Sequence, residues 1–170
     1  MTIFYYQFVG YEAYHDVLPE LQKKICAVLH DEEFHYILAL NEAVCNAAKY
    51  SMDGIQNANI EIKLKITKYD ISTTIRSHTQ AFDVNLYRNN LLKLIENKEI
   101  YDMEWGDYTA NTENSRGFWY MLTACDYLYM DSKSQDVTLC ARVPYEPENF
   151  TTKIGNLVPR FFIRKNGVIS

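Results

Sequence analysis

Apolar and polar residues alternate most strictly between positions 60 and 67. Ile60, Ile62, Leu64 and Ile66 fall on one side of an extended chain, and Glu61, Lys63, Lys65 and Thr67 on the other. That period of two marks a half-buried strand. Lys68-Tyr69-Asp70 supplies a turn, and Ile71, Thr73 and Ile75 return, so a β-hairpin is expected. Upstream, the aromatic and β-branched run Thr2 to Val9 reads as a strand ended by Gly10. Asp16 and Pro19 suit a helix start, and Leu21, Ile25, Val28 and Leu29 continue it to a break at His30 and Asp31. From Glu32 to Met52 the period is helical. Ile37, Leu40, Val44, Ala47 and Ala48 share one side, while Glu42, Asn46 and Lys49 share the other. Gly54 and Asn57 mark the loop that follows.

The second half is less regular. A helical segment covers Asn89 to Ile95, followed by a polar stretch containing Gly106 and residues 109–115. A further helix opens at Ser115-Arg116-Gly117-Phe118, with Phe118, Met121, Leu122 and Cys125 as its apolar stripe. Strands are expected over 127–130 and 137–143, separated by the polar turn 131–136. Beyond Val143, three prolines punctuate the chain, and Arg160 to Arg164 with Asn166-Gly167 suggests a small hairpin.

Composition narrows the classes. A chain of 170 residues with 48% apolar and 23% charged residues suits one globular domain. The formal charge of −5, with no basic stripe, argues against a nucleic-acid partner. The first residues lack the pattern of a signal peptide, and no run approaches 18 apolar residues. A cytoplasmic protein without a membrane segment is therefore expected. Cys26, Cys45, Cys125 and Cys140 form no C-x-x-C pair and read as reduced thiols. The histidines, at 15, 30, 35 and 78, have no ligating spacing.

One motif carries chemistry. The run 39–48, ALNEAVCNAA, resembles the N-box of the GHKL ATPases, and most closely that of the anti-sigma-factor serine kinases. The resemblance implies that Glu42 acts as a base, that the Asn46 side-chain oxygen coordinates Mg²⁺, and that Lys49 on the same face joins the nucleotide-binding set. The family follows the returning strand of the hairpin with Asp-x-Gly-x-Gly-Phe-Asp, where the first carboxylate accepts the adenine amino group. Here residues 77–83 read SHTQAFD, so Ser77, Thr79 and Ala81 stand at the adenine-contacting positions. A serine hydroxyl also accepts, with about half the strength of a charged acceptor. Residues 84–114 correspond to the family's mobile lid. Gly117 matches one glycine of the second glycine motif, whose amides meet phosphate at a helix start, and Ser115 replaces the other.

The resemblance covers about residues 1–143. It implies a two-layer α/β (α+β) sandwich with a mixed, mostly antiparallel sheet and helices on one face. Residues 144–170 are expected to pack on that domain or extend it. Two functions remain open. One is a regulatory kinase that uses Mg²⁺-ATP to phosphorylate a serine on a protein partner, an anti-anti-sigma or sigma-factor-like protein. The other is a catalytically inactive module of the same fold that regulates by protein binding. Both allow a homodimer.

Overall fold

The computed structural model describes residues 1–30, 33–110, 116–144 and 151–165, and the backbone of 168–169. The elements run β1 (Thr2–Val9), α1 (Tyr14–Leu29), α2 (Glu33–Lys49), β2 (Asn59–Ile66), β3 (Asp70–Ser77), α3 (Val84–Leu94), α4 (Lys98–Tyr101), α5 (Trp105–Tyr108), α6 (Arg116–Ala124), β4 (Tyr127–Asp131), β5 (Asp136–Arg142), α7 (Ile154–Leu157), β6 (Phe161–Lys165) and β7 (Val168–Ile169). Seven strands form one sheet in the order β1-β2-β3-β5-β4-β6-β7. Every pairing is antiparallel except β4 with β6. This is the expected α+β sandwich with a mostly antiparallel sheet.

Alternation decides which face is covered. Ile60, Ile62 and Leu64 in β2, Ile71, Thr73 and Ile75 in β3, and Leu128 in β4 are buried against the helices. Their neighbours Glu61, Lys63 and Arg76 are exposed on the open face. There Arg76 forms a two-pronged ion pair with Asp136 (2.7 and 2.8 Å). Helix α2 lies across the covered face, with Tyr36, Ile37, Ala39, Leu40, Ala43, Val44 and Ala48 buried. Its apolar surface is wider than one stripe because α2 packs against the sheet on one side and against α6 on another. Tyr36 fixes its height: the hydroxyl is 2.9 Å from Thr73 Oγ1 and donates to the Leu139 carbonyl at 3.2 Å, entirely inside the core.

Several boundaries differ from expectation for local reasons. Helix α1 starts at Tyr14, two residues before Asp16, leaving Pro19 inside it. Tyr14 holds that early start: its ring stacks on Phe8 and its hydroxyl donates to Asn41 Oδ1 at 2.8 Å. His30 closes the helix with a positive φ of 54°, while Asp31 lies outside the described residues. Helix α3 begins at Val84 rather than Asn89, because Asp83 caps it by accepting from the Leu86 amide at 2.9 Å.

The C-terminal segment extends the sheet. β6 pairs in parallel with β4, and β7 folds back on β6 as the expected small hairpin; the turn at Asn166-Gly167 is outside the described residues. The same segment pins the region between α3 and α6. Trp105 N donates to Thr152 O (2.9 Å), Ile154 N to Met103 O (3.0 Å), and Arg88 Nε to Phe161 O (3.0 Å). Gly155 is packed so closely on the Tyr101 ring that any Cβ there would collide with it. Among the described residues, no helix is long and apolar enough to cross a membrane.

Candidate functional site

A cavity of about 420 Å³ opens between α2, α3, α6, the exit of β3 and the β4–β5 turn. The size is within the usual range for small-molecule sites. Its wall on this side is Ala43, Asn46 and Ala47 of α2, with Tyr50 just past the helix end. Phe82, Tyr87 and Phe118 close the far side, with Tyr87 and Phe118 edge to face at 5.2 Å. Burial pushes the Tyr87 hydroxyl up to about 12. Met121, Met130, Ile75 and Val137 complete an apolar interior.

The loop after β3 crosses this cavity without glycine. Thr79 and Ala81 line it, and neither adopts a left-handed backbone. The loop is held instead by pairing with the end of α2. Ser51 bridges Thr79, Met52 N donates to His78 O (2.8 Å), and Gln80 N donates to Tyr50 O (2.9 Å). On its other side, Thr79 Oγ1 donates to Ser134 O at 2.7 Å, and Ser134 Oγ contacts Gln80 O and receives the Phe82 amide. Conformational freedom is thus exchanged for a bonded path, which removes the need for the two glycines. Ser77 ends β3 on the same strand face as Ile75 and Thr79. It is 3% exposed, and its hydroxyl is buried with no partner among the described residues.

Glu42, Asn46 and Gly117 meet. Gly117 is the second residue of α6, and α2 packs along α6. A Cβ at Gly117 would collide with Glu42 Oε2 and stand 3.6 Å from Asn46 Nδ2. The carboxylate therefore occupies the space directly over the first turn of α6, where a helix N-terminus favours negative charge. Glu42 also acts on its own helix: burial first, then that carboxylate, pushes the Cys45 thiol up.

Of the positions expected to hold nucleotide, Asn46, Thr79 and Ala81 share the cavity lining. Gly117 and Glu42 adjoin it at Asn46, and Ser77 is buried in the strand that leads to it. Lys49 is not among the residues that line the cavity. It is exposed at the end of α2, with its ammonium 5.4 Å from the Tyr50 ring centre. Ser115 lies outside the described residues. Sequence reasoning missed the aromatic wall. Phe118 and Met121 read as a helix stripe, Phe82 as the end of a motif, and Tyr50 and Tyr87 carried no signal.

The residues fit Mg²⁺-ATP unevenly. A flat ring suits the aromatic and methionine interior. The triphosphate finds no cation there, because among the described residues no Lys or Arg lines the cavity. Asn46 can supply one neutral oxygen to Mg²⁺, a cation that takes most of its remaining ligands from phosphates and water.

No family model matches the chain. The protein farnesyltransferase/geranylgeranyltransferase type-1 subunit alpha of Candida albicans is 30% identical over 112 aligned residues, covering 62% of this chain and 32% of that one. The chain thus spans about a third of that curated relative's length, and the likeness assigns no family.

Proposed function

We propose that this chain is a GHKL-like regulatory module of the cytoplasm that acts by binding a protein partner and does not transfer phosphate. One observation carries the reading: the place expected for phosphates is faced by the Glu42 carboxylate packed on Gly117, beside a cavity with no lining cation among the described residues. Two like unit charges 4 Å apart repel by about 4 kcal/mol at an effective dielectric of about 20. One such pair would weaken binding by roughly a thousandfold. Protein contact is supported at the mouth, where Tyr50 and Phe82 are 42% and 46% exposed and their chain neighbours Met52 and Leu86 are 61% and 57% exposed. The test is capture of partners with and without Mg²⁺-ATP, together with a phosphoryl-transfer assay on whatever is captured. The reading requires a specific partner whose binding ignores nucleotide, and no transfer.

A second reading is supported by the meeting of Glu42, Asn46 and Gly117 itself. In it the chain is an anti-sigma-factor-type serine kinase: Glu42 takes the proton of a partner serine, and Asn46 helps hold Mg²⁺ against the phosphates. Catalysis there would be mainly positioning and charge neutralisation. Transfer of labelled γ-phosphate to a captured partner would select it.

A further inference from the structure

The face of the sheet turned away from the helices carries a cluster of rings and cations that the cavity does not use. From its geometry we infer that this open face binds an extended acidic segment of a protein partner, gripping carboxylates at alternate positions. The cluster lies on the other side of the sheet from the cavity, so the inference holds whether or not the module transfers phosphate.

Strand order builds the cluster. β4 lies between β5 and β6, and Tyr127, Tyr129 and Phe162 alternate with the buried Leu128 and Phe161. All three rings therefore stand half-buried on the open face. Tyr129 stacks on Phe162 at 5.5 Å, and its ring centre is 6.3 Å from that of Tyr127. A guanidinium lies over each tyrosine. Arg142, at the end of β5, is 5.2 Å from the Tyr127 ring centre, and Arg164 of β6 is 5.2 Å from that of Tyr129. Arg142 also donates to the Tyr127 hydroxyl. Cations held on rings are ordered before a ligand arrives, which lowers the entropy lost on binding.

The carboxylates nearby are already committed. Asp136 takes both prongs of Arg76, with Glu61 at 3.9 Å. Asp131 is in register with Arg164, but its oxygens accept from the amides of Lys133, Gln135 and Asp136 at 3.1, 2.6 and 2.8 Å. Asp126 accepts from the Arg142 amide at 2.7 Å. Among the described residues, Arg142 and Arg164 have no carboxylate within ion-pair distance, and neither do Lys63 and Lys65 across the same face. In a chain of net charge −5 this face is a local excess of unpaired cations.

Spacing and chemistry select the occupant. Side chains on one side of an extended segment repeat every 6.6 Å or so, about twice the rise per residue. The rings that carry the two guanidiniums are 6.3 Å apart. Each guanidinium offers parallel donors that match a carboxylate. Guanidinium and Phe162 cover the tyrosine faces, which favours recognition of charge over stacking of bases. Glu61, Asp70 and Asp136 on the same face would repel a continuous polyanion such as a nucleic acid.

Titration of the full chain into fluorescently labelled peptides, read by anisotropy, tests this. One octapeptide alternates glutamate with threonine; its isomer, of the same composition and charge, places the glutamates in adjacent pairs. An exposed ion pair contributes up to about a fivefold gain. The alternating peptide should therefore bind about fivefold more tightly than the isomer, and more weakly as salt is raised. Arg142→Gln and Arg164→Gln should each weaken it by about fivefold. Arg142→Lys, which keeps the charge but not the planar fork, should weaken it nearly as much. Lys23→Gln, on the exposed side of α1, should leave it unchanged. Absence of binding, equal binding of the two isomers, or affinity unchanged in both glutamine variants overturns the inference. So does an oligothymidylate that binds more tightly than the alternating peptide, or a dimer of this chain that the double glutamine variant dissociates. These results leave the question of phosphate transfer to its own assay.

Discussion

The carboxylate of Glu42 fills the space in which residue 117 would carry a side chain, so helices α2 and α6 approach as closely as a glycine allows. Alanine at 117 is therefore expected to destabilise. Overpacking costs about 1–3 kcal/mol, against a gain of up to about 1 kcal/mol from replacing glycine in a helix. In a Glu42→Ala background the clash disappears, and Gly117→Ala should become neutral or stabilising. A double-mutant cycle in urea reads the coupling directly.

Ser77 gives a change of opposite sign. An unpartnered buried hydroxyl carries a desolvation penalty of about 1–3 kcal/mol, so Ser77→Ala is expected to hold or raise the urea midpoint. A loss above about 1 kcal/mol would mean that the hydroxyl is satisfied. Tyr36→Phe is the contrast. It removes a bonded hydroxyl and strands Thr73 Oγ1 in the core, and should cost about 1–3 kcal/mol.

Buried thiols set the alkaline limit. Burial first pushes Cys125 far up, and burial with Asp70 pushes Cys140 up to about 11; an unfolded thiol titrates near about 8.5. Folded values are raised, so their contribution is complete below about pH 8.5 and is lost as pH rises through the folded values. The fully buried Cys125 should lower stability by about 1.4 kcal/mol per pH unit in that window. Urea midpoints at pH 8, 9 and 10 check the sign. Cys125 should also resist a thiol reagent at pH 7 in the native protein and react on unfolding.

The strand pattern was legible because alternation is a local consequence of one covered face. The hairpin at Ile60 to Ile75 and the strands near 127 and 137 followed from it within a residue or two. The early start of α1 was not legible, since it depends on Tyr14 reaching Asn41 across 27 positions of chain. The same holds for the cavity. Glu42 and Asn46 stood out by spacing, whereas Tyr50, Tyr87 and Gln135 converge only through sheet order and the packing of α3. Nor did the sequence pattern show that residues 151–165 complete the sheet through β6.

That last point predicts that residues 1–143 do not stand alone. Removing β6 uncovers the β4 edge and takes away Phe161, which packs edge to face on Phe118 at 5.2 Å. A chain cut after 143 should lose cooperative unfolding, or melt more than about 10 °C lower; an unchanged Tm would show that the extension is dispensable.

Calorimetric titration of Mg²⁺-ATP into the native chain and into Glu42→Gln tests the central claim most directly. With the carboxylate at Gly117 and no cation among the described lining residues, native protein should show no binding tighter than about 1 mM, and the variant should bind measurably better. Micromolar binding to the native chain, lost in Glu42→Gln, would contradict the account.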